Sequence, residues 1–121
     1  MSDTSVRNYR DLLVWQRAMD IAVLTYRITK TFPREETYGL TSQARRAASS
    51  IAANIAEGYG RATRPAYINH LRIAQGSLKE LETHMILAAR VELITQKITD
   101  EVLSEADQLG RLLNALLKKL A

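Results

Sequence analysis

From Tyr9 onward, apolar side chains return every three or four residues, the period of one helix face, in four successive stretches with short polar breaks between them. In the first, over about 9–31, Leu12, Trp15, Met19, Ala22 and Tyr26 form one row. Val14, Ala18, Ile21 and Ile28 form a second row beside it and widen the face. Pro33 ends this stretch, because the residue before a proline is driven out of helical geometry. The second stretch, about 38–59, steps through Leu40, Ala44, Ala47, Ile51, Ile55 and Gly58 and is otherwise rich in Ala and Ser. Small side chains let a neighbouring backbone come close, so this helix is expected to be the most crowded. Gly58 and Gly60 are read as its stop, since glycine accepts the left-handed conformation that closes many helices.

Pro65 suits the first turn of a third helix, about 65–94, with Thr63 as a nearby cap. Tyr67, Leu71, Ala74, Leu78, Leu81, Met85 and Ala88 alternate steps of four and three, a heptad seam of the kind left-handed bundles use. Gly76 inside that helix costs about 1 kcal/mol relative to Ala, which points to a close helix crossing there. The fourth helix, about 100–120, is expected to start at Thr99 as cap, with Asp100 and Glu101 favourable at its positive end. Short connections between long helices predict an all-α, antiparallel up-down-up-down four-helix bundle, one domain over 1–121.

The apolar pattern exceeds what one bundle can enclose. Ile73, Ile86, Leu87 and Val91 lie outside the third seam, and Leu103, Leu112 and Leu117 outside the fourth. A large exposed apolar patch marks an interface, so a homo-oligomer is expected, its number open on residues alone.

Composition narrows the class further. Apolar residues make up 46% and charged residues 25%, a globular balance, while five Gly and two Pro are few for a turn-rich β protein. Without cysteine, neither a disulfide framework nor a thiolate metal site is available. The polar start Met1–Ser5 has no apolar core of a secretory signal, and no run is long enough to span a bilayer, so a cytoplasmic protein with no membrane partner is expected. The formal charge is +4 and the pI about 9.6, with the basic excess in 1–34 and 61–99. Such a balance favours a polyanionic partner.

Four arginines are candidates for that contact. Arg45 and Arg46 lie near the start of helix two, Arg61 and Arg64 beyond its end, and repetition around an oligomer would turn either pair into a basic circle for RNA or DNA phosphates. Their other reading is pairing with Glu35, Glu36 or Glu57. Gln43, Asn54 and Glu57 fall among small apolar neighbours and read as buried polar or assembly residues that fix register. Catalytic and metal chemistry find no constellation. His70 and His84 are about 21 Å apart along one helix, no Glu precedes a His by three residues, and Glu80 and Glu82 point to different faces. Gly58-Tyr59-Gly60 follows a helix rather than a strand and is no phosphate loop. No enzyme, cofactor, metal or small-molecule substrate is expected.

Several segments together carry a resemblance: Tyr9-Arg10-Asp11-Leu12, Val14-Trp15-Gln16, Phe32-Pro33, and Tyr38-Gly39-Leu40-Thr41-Ser42-Gln43-Ala44-Arg45-Arg46. Asn54-Ile55-Ala56-Glu57-Gly58 and Gly76-Ser77-Leu78-Lys79-Glu80-Leu81 extend it. The chain resembles the four-helix-bundle proteins encoded in intervening sequences of bacterial 23S rRNA genes, a family similar to the accessory proteins of diversity-generating retroelements. The resemblance implies a homopentamer without enzymatic activity, and a nucleic-acid association by analogy with those accessory proteins. It departs at Ala52-Ala53, where the family pattern often has a proline. The expected function is thus a pentameric scaffold binding RNA or DNA through basic residues, or alternatively a scaffold for another protein.

Overall fold

The computed structural model describes residues 6–121; the polar start at Met1–Ser5 lies outside them. Among the described residues there are four α-helices and no strand: α1 Leu13–Thr29, α2 Leu40–Tyr59, α3 Arg64–Arg90 and α4 Gln96–Leu120. No helix among them is long and apolar enough to cross a membrane.

The helix ends follow from local hydrogen bonding. Asn8 and Asp11 cap each other reciprocally around a 3-10 turn at Tyr9–Asp11, with the Asp11 carboxylate accepting the Arg7 N–H at 2.8 Å. That turn, and extended backbone at Leu12, hold the start of α1 back to Leu13 rather than Tyr9. A second 3-10 turn, Arg34–Glu36, follows Pro33, and the Glu36 carboxylate accepts the Leu40 N–H at 3.0 Å to open α2. α2 then runs unbroken through Ala52 and Ala53. Thr63 caps α3 as expected, accepting from the Ala66 N–H at 3.3 Å.

Two expectations fail at α4 and α2. The cap of α4 is Thr95, which accepts the Ile98 N–H at 3.2 Å, so α4 starts at Gln96, earlier than expected. Thr99 is buried a turn later and donates its hydroxyl to the Thr95 carbonyl at 2.9 Å. Gly60 closes α2 in ordinary right-handed geometry, φ −81°, and no glycine among the described residues has positive φ. The left-handed closure is at Glu92 instead, φ 66°. There the Leu93 N–H reaches back to the Ala88 carbonyl at 2.8 Å and the Glu92 N–H to Ala89 at 3.0 Å, the paired bonds of a Schellman closure.

Each helix packs on two others, α1 on α2 and α4, α3 on α2 and α4. The core is Ile21 of α1, Ile51 and Ile55 of α2, Leu71, Leu78, Leu81 and Met85 of α3, and Val102, Leu109 and Leu113 of α4. In α1 the two apolar rows exchange roles. Val14, Ala18, Ile21 and Ile28 are buried together with Thr25, whereas Met19 and Tyr26 of the bulkier row are exposed and Trp15 is half-buried. Thr25 completes a heptad stripe with the buried row; its hydroxyl is satisfied by the Ile21 carbonyl at 2.8 Å, which lets it sit inside at little cost. The close crossing falls at Gly58, not Gly76. A Cβ on Gly58 would lie 2.6 Å from the His70 Cβ, while nothing lies within 4 Å of one on Gly76.

Candidate interaction surfaces

Three faces of this frame carry chemistry. Between α1 and α2 lies an open apolar groove of about 720 Å³. Ala52, Ala53, Ala56 and Ser49 line it on α2, and Trp15, Met19, Val23 and Tyr26 on α1. Met19, Val23 and Tyr26 keep between 39% and 46% of their surface exposed, unusual for large apolar side chains set side by side. Tyr9 packs edge-on to Trp15 with ring centroids 5.4 Å apart and extends this wall. Arg27 and Lys30 form a basic rim. Arg45 lies over the Tyr26 ring at 4.4 Å and donates from Nε to the Thr29 hydroxyl at 2.8 Å. It is therefore engaged within the chain.

The opposite flank of α2, toward α3, is closed and polar. Ser50 and Ser77 share a hydrogen bond of 2.9 Å. Asn54 donates from Nδ2 to the Ser50 carbonyl at 2.9 Å and its Oδ1 faces His70 Nδ1 at 3.1 Å. With the amide nitrogen so placed, Asn54 Oδ1 is the acceptor available to a proton on His70 Nδ1. His70 Nε2 then lies 3.9 Å from the Glu57 carboxylate, which itself pairs with Arg61 at 2.6 Å. Below Gly58, Tyr59 and Tyr67 meet edge-on at 6.0 Å. Burial, and secondarily the charge of ionised Tyr59, push the Tyr67 hydroxyl above its ordinary pKa. His84 lies two heptads along α3 from His70, and its Nε2 is enclosed without a hydrogen-bond partner.

A third face, between α3 and α4, is a basic groove that sequence reasoning missed. Arg72, Lys79 and Arg111 line a groove of about 530 Å³ whose walls include Gly76 and Gly110. It adjoins a second hollow of about 370 Å³ containing Arg72 and Lys118. Gln75 and Asn114 hydrogen-bond across it at 2.5 Å. Lys79 is 3.3 Å from Glu82 and Arg111 is 3.0 Å from Asp107, both well exposed to solvent. The signal was present: Arg72 and Lys79 are seven residues apart on α3, as are Arg111 and Lys118 on α4, so each pair shares a helix face.

The expected site residues fare differently. Arg45 and Arg46 fall in the second turn of α2 and Arg61 and Arg64 at the α2–α3 connection, so the structure does not bring the two pairs together within one chain. Arg61 takes the Glu57 partner foreseen for it, and Glu36 caps α2. Arg46 and Arg64 are exposed and make no ion pair among the described residues. Of the three polar candidates only Asn54 is part-buried; Gln43 and Glu57 are exposed, which corrects their reading as buried within the chain. Small neighbours on the opposite side of the helix had suggested burial that their own side does not have. Among the described residues no three His, Asp or Glu side chains form a group able to hold a metal ion.

The family model described as 23S rRNA-intervening sequence protein matches residues 10–115. The chain belongs to this family. The match takes in the α1–α2 groove except Tyr9, the whole α3–α4 groove, and the adjoining hollow except Leu117, Lys118 and Ala121. A crystal structure of a Bacteroides thetaiotaomicron protein of unknown function from the S23 ribosomal protein family superposes with a TM-score of 0.78. The two are 26% identical over 88% of this chain and 99% of the other. No curated protein matches the chain.

Proposed function

We propose that this family member is a non-catalytic, self-associating up-down-up-down four-helix bundle that carries RNA or DNA in the cytoplasm. Contacts that pair residues 50, 54 and 58 of α2 with 77, 70 and 67 of α3 fit opposite chain directions for these two helices. The observation that carries the functional reading is the contrast between two faces. One, between α1 and α2, is open and apolar; the other, between α3 and α4, is lined by Arg72, Lys79, Arg111 and Lys118. A self-associating protein buries the first and leaves the second to solvent, repeated once per copy. Five copies is the number the family resemblance implies. Arg46 and Arg64 add exposed cations outside the basic groove.

Phosphate contact through such residues is not sequence-specific and is driven by counterion release. Four cations engaging single-stranded RNA would give a log–log salt slope of roughly −3. The test is solution mass by light scattering, with and without a short RNA, at two salt concentrations. The expected outcome is a multimer whose mass rises with RNA at low salt only. A multimer indifferent to RNA at low salt would sink the nucleic-acid reading and favour a protein partner.

A further inference from the structure

Resting on the reading that the α3–α4 groove carries nucleic acid, we propose that Gln75 and Asn114 contact the bases there, so that the groove prefers an unpaired strand to a duplex. The sequence around the two amides is alike on both helices. Arg72, Gln75 and Lys79 on α3 are matched, in order and spacing, by Arg111, Asn114 and Lys118 on α4. Each amide has an arginine three residues before it and a lysine four residues after it, all on one helix face. Gln75 donates from Nε2 to Asn114 Oδ1 at 2.5 Å, and a carbon added to Gly110 would meet Leu78 at 3.8 Å. These pairings, 75 with 114 and 78 with 110, fit opposite directions for the two helices. The triplets are then related as by a two-fold axis through the amide pair. Lys118 lines one hollow, Lys79 and Arg111 line the other, and Arg72 and the two amides line both.

The cations suit phosphates. Arg72 and Lys79 stand about 10 Å apart along α3, as do Arg111 and Lys118 along α4. That is about three steps of a stacked strand at roughly 3.4 Å per phosphate, so cations at the two ends hold the backbone while the amides face what lies between. Arg72 and Lys118 are exposed and make no ion pair among the described residues. Lys79 and Arg111 have Glu82 and Asp107 beside them, but the cation of each pair is well exposed, so the pair is worth little and a phosphate can replace it. The amides suit bases. Their mutual bond uses one donor and one acceptor, and Gln75 Oε1 and Asn114 Nδ2 make no other hydrogen bond among the described residues. An acceptor beside a donor complements the edge of an unpaired base, an edge that pairing uses up in a duplex. Among the described residues no aromatic side chain lines either hollow, so hydrogen bonding takes the part that stacking plays on many single-strand surfaces.

Fluorescence anisotropy on the full chain at low salt tests the preference, with a short labelled RNA free of self-complementarity and the duplex it forms with its complement. The single strand is expected to bind about tenfold more tightly. Gln75→Leu with Asn114→Leu keeps the bulk of the amides and removes their hydrogen bonding. It should weaken the single strand about tenfold and leave the duplex and the salt slope unchanged. Arg72→Gln with Lys118→Gln should instead weaken both and make the single-strand slope about 1.4 shallower, about 0.7 for each lost phosphate contact. Circular dichroism checks that each variant is folded; should the double amide variant unfold, Asn114→Ala at its exposed position carries the same test. Equal binding of strand and duplex by the unmodified chain would overturn the inference and leave the nucleic-acid reading intact. So would an amide variant that weakens strand and duplex alike, or neither, and so would a cation variant that binds as before. No binding of either RNA at low salt would sink the nucleic-acid reading itself, and this inference with it.

Discussion

Helix α2 has small residues on both flanks, yet the two flanks differ. Toward α3, Ser50 and Gly58 let the helices approach until a single added carbon at Gly58 would strike His70. The polar groups caught in that approach are bonded to one another, Ser50 to Ser77 and Asn54 to His70, so closeness does not strand them. Toward α1, Ala52, Ala53 and Ala56 are equally small, but α1 turns its heptad of Val14, Ala18, Ile21, Thr25 and Ile28 to the core and leaves its bulky row outside. Small residues therefore tighten a contact only where the facing helix offers a stripe that can follow them in. Where it does not, the same residues leave a channel.

That contrast can be broken by substitution. On the closed flank Gly58→Leu forces α3 away or off rotamer, and about 3 kcal/mol of stability should be lost, the upper part of the usual overpacking range. Urea denaturation measures it; an unchanged midpoint would mean that α2 and α3 separate freely. On the open flank Trp15→Ala should cost the isolated chain about 1.5–3 kcal/mol, since the indole is only half-buried. A loss in the 3–5 kcal/mol range of an enclosed tryptophan, seen in the same titration, would make the flank as closed as its counterpart. The smallest effect concerns Tyr67, whose raised pKa means that the folded state holds the phenolic proton more tightly than the unfolded one. Its stabilising share is whole below the ordinary value of about 10 and disappears as pH climbs through the raised one. Tyr67→Phe should flatten the alkaline fall in melting temperature, and an unaltered profile would count against burial of that hydroxyl.

Much of the frame was legible because its signals are local. Pro33, Thr63 and Pro65 act on their own neighbours, and four periodic stretches became four helices. The misreadings share a cause, which is that a residue type was taken for its environment. Thr25 hid the inner heptad of α1 because a threonine looks polar until its hydroxyl is paired within its own helix. Thr95 and Thr99 offer the same cap chemistry one turn apart, and only packing decides which is buried. Gly76 and Gly58 each announce a close approach, but the partner helix comes near only Gly58. The basic groove was overlooked because its cations are scattered along the chain, whereas Arg45 and Arg46 drew notice by adjacency and Arg45 proved to be tied to Tyr26 and Thr29.

Glu92 closes α3 in a conformation that costs a residue with a side chain about 1–2 kcal/mol and glycine almost nothing. Its presence exchanges some private stability for a negative charge at the outer corner of α3, beside Val91. Natural proteins stand only slightly above the stability they need, so a cost of that size takes a sizeable part of the margin at this one corner.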